Sequence, residues 1–144
     1  MISDGHQSGG LGPTTRHRLE EVRRALLGLH KALLDAERIE YEGEHGRVER
    51  SSDFLQLAMH APSFAWLRPL LALVVTLDEV LASDALPPGA SVPDLFDQAR
   101  AFLKADPEGN AFHRRYAELL QEVPAVVIAH SHAVKALRAS AEPS

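Results

Sequence analysis

The stretch S-F-A-W-L-R-P-L-L-A-L-V-V-T-L-D-E-V-L, residues 63–81, decides the fold. From Phe64 to Leu77 its only polar side chains are Arg68 and Thr76. A surface helix would show one polar face. A membrane span would need about 20 apolar residues with no arginine near the middle. The remaining reading is a helix buried on most sides, with the rest of the chain wrapped around it. Pro69 interrupts it: proline has no N–H to give the carbonyl of Ala65, and its ring crowds that carbonyl. Either Phe64–Arg68 forms a separate turn or the helix kinks there. In both cases the Ala65 carbonyl needs another donor, and Arg68 is a candidate.

Toward the N-terminus, Leu19, Val22, Leu26, Leu29 and Leu33 recur at steps of three and four, predicting an amphipathic helix over Thr14–Tyr41. At about 1.5 Å per residue it is roughly 40 Å long. That is longer than a bundle of this size needs, so a symmetric homodimer with part of Leu19–Leu34 at the interface is expected. Gly43 and Gly46 mark a loop. Ser51 or Ser52 then caps a short helix that Pro62 ends. Toward the C-terminus, Leu86-Pro87-Pro88-Gly89 is a break, and Ser91-Val92-Pro93-Asp94 matches a capping box. Helices follow around Leu95–Leu103, Phe112–Val123 and Ala125–Arg138, and no run reads as a strand. The fold class is therefore all-α, a bundle of four main helices plus one or two short ones. It forms a single domain over residues 14–139, with a disordered lead at 1–13 and a flexible tail at 140–144.

A chain of 144 residues suits one domain. Its 45% hydrophobic and 24% charged content is that of a soluble globular protein. A net charge of −5 argues against a general nucleic-acid binder. The absence of cysteine removes disulfides and thiolate metal sites. The N-terminus lacks the basic flank and apolar run of a signal peptide, so the expected location is cytoplasmic, with no membrane partner.

Three segments carry a resemblance: L-H-K-A-L-L-D-A-E-R-I-E-Y-E (Leu29–Glu42), F-A-W-L-R-P-L (Phe64–Leu70) and V-V-I-A-H (Val126–His130). Together they resemble a group of small helical bacterial proteins with no known activity. The resemblance implies a helical fold and a bacterial source, and no mechanism.

No P-loop, G-x-G-x-x-G, G-x-S-x-G or H-E-x-x-H occurs. One Glu-x-x-His spacing, Glu42 to His45, is broken by Gly43 at a helix end, which rejects a di-iron carboxylate bundle. What survives is a set of polar residues expected to face inward: His30, Glu37, Tyr41, Arg68, Asp78 and His130. They can form a satisfied network, with Glu37 or Asp78 pairing Arg68 and each histidine bonding a neighbour. They can also anchor a small molecule in a pocket. As a metal site, His30, Glu37 and His130 would supply two imidazoles and a carboxylate to a divalent ion, with water as fourth ligand. Trp66, Phe64 and Tyr116 read as core aromatics, with a ligand-stacking cage as the other option. The functional expectation is a non-enzymatic interaction or ligand-binding module, with no cofactor and an unidentified protein or small-molecule partner. The alternative is a metal-binding protein or metal-dependent enzyme.

Overall fold

The computed structural model describes residues 10–141 and is all-helical. Its elements are α1 (Pro13–His45), α2 (Ser51–His60), a 3-10 turn (Pro62–Leu67), α3 (Arg68–Ser83), α4 (Val92–Phe102), α5 (Ala111–Glu122) and α6 (Pro124–Ala141). The expected lead falls mostly outside the described residues, but its last four do not. The Leu11 N–H donates to Asp84 at 3.1 Å, and α1 begins at Pro13, a first-turn position where a missing N–H costs nothing. Of the expected tail, residues 142–144 lie outside the described residues.

Helix α1 runs four residues past its expected end. Gly43 stays helical at a propensity cost of about 1 kcal/mol relative to alanine. The chain leaves the helix at Gly46, whose φ of 93° is open to glycine, and the Gly46 N–H closes the last turn on the Glu42 carbonyl at 2.9 Å.

Pro69 resolves as the separate turn. The 3-10 segment ends at Leu67, and the backbone N–H of Arg68, not its guanidinium, satisfies the Ala65 carbonyl. Pro69 then sits in the first turn of α3. The capping box forms as read, with Ser91 Oγ accepting the Asp94 N–H at 3.2 Å. Helix α2 departs from expectation, because its N-cap is Arg50 and no side chain caps it.

The core is built on α1 and α3. Leu19, Leu26, Leu29 and Leu33 meet Leu70, Val74 and Leu77, closed by Tyr116, Val126 and Leu137 from α5 and α6. Each such leucine contributes on the order of 2 kcal/mol by leaving water. The leucine stripe of α1 is therefore consumed within the chain, and within Leu19–Leu34 it is a residue off that stripe, Leu27, that stays exposed. Helix α6 lies along α1, and Ala25, Gly28, Ala129 and Ala136 line a groove of about 450 Å³ between them. Helices α1 and α3 run antiparallel. Arg16 donates to the Leu81 carbonyl at 2.9 Å, near the end of α3, while Arg23 pairs with Asp78 one turn earlier in α3. Among the described residues, no helix is long and apolar enough to cross a membrane.

Candidate functional site

Glu37 is the one charged residue in the core among the described residues, 7% exposed. It follows Leu33 by one turn on the buried stripe of α1, so helical periodicity turns it inward. Three elements converge on it. Trp66, in the 3-10 turn, donates its indole N–H to Oε2 at 2.5 Å. Arg115, from α5, forks across the carboxylate, with Nη2 at 2.5 Å from Oε1 and Nε at 3.3 Å from Oε2. Two-point pairing of this kind is the strongest geometry available to an arginine. Arg115 also pairs with Glu40 and, at 2.8 Å, with Glu118. The hydrogen bond to Glu37, with help from Glu118 and Glu40, raises its pKa above the usual arginine value.

A second pair closes the other side of α5. The buried Tyr116 hydroxyl hydrogen-bonds His130 Nδ1. Burial raises the Tyr116 pKa, keeping the phenol protonated, and lowers that of His130, keeping the ring neutral. Phenol and ring therefore satisfy each other, the phenol donating to Nδ1 or accepting from Nδ1–H according to the tautomer.

The other expected residues disperse. Asp78 pairs with Arg23, near the surface. Arg68 is exposed and donates to the Met59 carbonyl at 2.6 Å, so neither Glu37 nor Asp78 is its partner. Tyr41 stacks on His45 with ring centroids 4.3 Å apart. His30 is half-buried on α1, and desolvation lowers its pKa. The trio His30, Glu37 and His130 is not assembled: both Glu37 oxygens accept from Trp66 or Arg115, and His130 Nδ1 is engaged by Tyr116. Among the described residues, no group of three or more His, Cys, Asp or Glu side chains is placed to hold a metal ion. Phe64 and Tyr116 are core residues, whereas Trp66 is half-buried and packs edge-on against Phe112 at 5.2 Å.

Arg115 is the residue that the sequence did not reveal. It precedes Tyr116 on the margin of the apolar face of α5. Its partner on α1 is 78 positions away, so only tertiary docking brings them together.

Two further concave regions stand out among the described residues. A groove of about 1090 Å³ lies between the end of α1, loop 46–50 and α2, and includes Tyr41, Arg47, Asp53 and His60. Its loop is held rigidly. Glu42 accepts the Val48 N–H at 2.8 Å, Arg38 donates to the Val48 carbonyl at 2.9 Å, and the Arg38 guanidinium sits 4.4 Å from the centroid of the Phe54 ring. A smaller cleft of about 290 Å³ lies between Pro69, the end of α4 and the start of α5. Compared with known proteins, the chain matches no family model, no curated protein and no solved structure.

Proposed function

We propose that this protein is a non-enzymatic interaction module that associates with a second copy of itself through the outer side of α1 and α3. The observation that carries this reading is a row of apolar side chains crossing the seam between the two helices. The side of α1 that bears Arg23 also bears Leu27, His30 and Leu34, and the side of α3 that bears Asp78 also bears Leu71 and Val75. Leu27, Leu71 and Val75 are 39%, 40% and 46% exposed.

The flanks of the row are complementary to each other. Arg24 and Lys31 flank it on α1, and Glu79 flanks it on α3. A two-fold dimer that lays α1 on the second copy's α3 would oppose these charges twice. A standard interface needs roughly 800 Å² from each partner, about a tenth of the 8803 Å² that this chain exposes. The non-enzymatic part of the reading is supported by the polar pairs: Glu37, Asp78, Arg68 and His130 are engaged with other groups of the chain. A bacterial setting belongs to the same reading, on the strength of the resemblance.

Charge reversal tests it. Glu79→Lys should weaken self-association, as should Arg24→Glu, and the double variant should restore it because both contacts are swapped together. Three variants that associate like wild type would remove this face from consideration.

A further inference from the structure

The cleft between α3, α4 and α5 has a chemistry of its own. Its floor is aromatic: Phe102 and Phe112 meet edge to face with centroids 5.1 Å apart, beside Pro69. Its volume of about 290 Å³ lies just under the range of about 300–1,000 Å³ for drug-sized ligands, which suits a smaller molecule. No Asp, Glu, Lys or Arg lines it. Its rim instead carries two amides and an imidazole. The Asn110 side-chain oxygen accepts the His113 N–H at 2.9 Å as the cap of α5, which orients the amide and keeps its N–H₂ as a donor. His113 Nε2 lies 2.7 Å from the Ala101 carbonyl at the end of α4. A carbonyl only accepts, so Nε2 carries a proton and donates to it, which leaves Nδ1 as the ring nitrogen not engaged there. Gln98 adds a second amide with both functions.

We infer that this cleft binds a small uncharged aromatic molecule carrying a hydroxyl or N–H group. The two phenylalanine rings supply stacking and edge contacts to a planar ring. The amides and His113 Nδ1 supply one or two directional hydrogen bonds at its edge. An anionic or cationic ligand would enter a site with no countercharge and lose its hydration. The site is separate from the proposed self-association face, because Pro69 lies across α3 from Leu71 and Val75.

The test uses phenol as probe and benzoate as its charged counterpart. Trp66, the sole tryptophan, packs on Phe112 and reports occupancy through its fluorescence, and amide shifts of Phe102 and Phe112 by NMR give a second readout. Phenol should give a saturable change, with benzoate at least about ten-fold weaker because its charge stays unpaired. Ala101 is exposed and lines the cleft, so Ala101→Phe should fill it and weaken phenol by about ten-fold or more, with the melting temperature unchanged. Ala101→Leu, a smaller intrusion, carries the same test with a partial loss if the phenylalanine variant does not fold. A linear, non-saturating response to phenol would overturn the inference. So would equal binding of benzoate, or full phenol affinity in a folded Ala101 variant.

Discussion

Replacing Glu37 by alanine tests the polar hub directly. The carboxylate accepts from the Trp66 indole and from two nitrogens of Arg115. Losing it leaves the indole N–H without its acceptor, at a cost of about 1–3 kcal/mol. Breaking a fully buried ion pair costs about 3–5 kcal/mol. Here the Arg115 side chain is 23% exposed and keeps Glu40 and Glu118, so the arginine term falls toward the lower end or below it. The expected total is about 3 kcal/mol, a large share of the roughly 5–15 kcal/mol that holds a domain together. For a chain of this size that corresponds to a fall of about 10 °C in melting temperature. Urea unfolding followed by Trp66 fluorescence and circular dichroism measures it. Trp66→Phe should cost less by itself, and the double variant should cost less than the sum, because both changes remove one shared hydrogen bond. A Glu37→Ala protein within about 0.5 kcal/mol of wild type, the range of ordinary surface changes, would refute the hub as a stabilising network.

Four further outcomes are expected. Burial lowers the pKa of His130 and of His30, so the unfolded chain binds protons first as pH falls below about 6.5. Their contribution is complete above that pH and is lost as pH falls toward the folded values; denaturation midpoints at pH 7.5 and 5.5 should show the loss, and a His30→Gln, His130→Gln double variant should reduce it. Tyr116→Phe should cost about 1 kcal/mol in urea unfolding, the net value of one hydrogen bond. Glu42→Ala should speed hydrogen exchange of the Val48 amide, which the carboxylate holds at 2.8 Å, while core amides such as that of Leu29 stay protected. A chelator should leave the melt of wild type unchanged; a drop seen in wild type and absent in His130→Ala would revive the metal reading.

What the sequence revealed and what it hid divide along a physical line. The helices were legible because periodicity is local: Leu19 to Leu33 at steps of three and four needs no partner to be read. Pro69 and Ser91–Asp94 were legible for the same reason, since each constrains its own few residues. Glu37 was recognisable as inward-facing from its place one turn after Leu33. Its partner was not. Arg68 was the nearest arginine to the apolar stretch, but the 3-10 turn before α3 leaves Arg68 facing solvent, where it bonds the Met59 carbonyl. The choice of Arg115 depends on how α5 docks against α1. The dimer expectation, part of Leu19–Leu34, named a segment without choosing its face: the buried leucines of that segment belong to the core, while Leu27 is exposed.

The most direct test of the proposed function is sedimentation equilibrium of wild type and Val75→Glu over a wide concentration range. Val75 is on the surface, so the substitution leaves the core intact and places a charge in the middle of the apolar row. Wild type should approach twice the 15.7 kDa chain mass, and Val75→Glu should stay at the chain mass with an unchanged melt at low concentration. A wild-type protein that remains at the chain mass throughout, or a Val75→Glu variant that dimerises as tightly as wild type, would contradict self-association through α1 and α3.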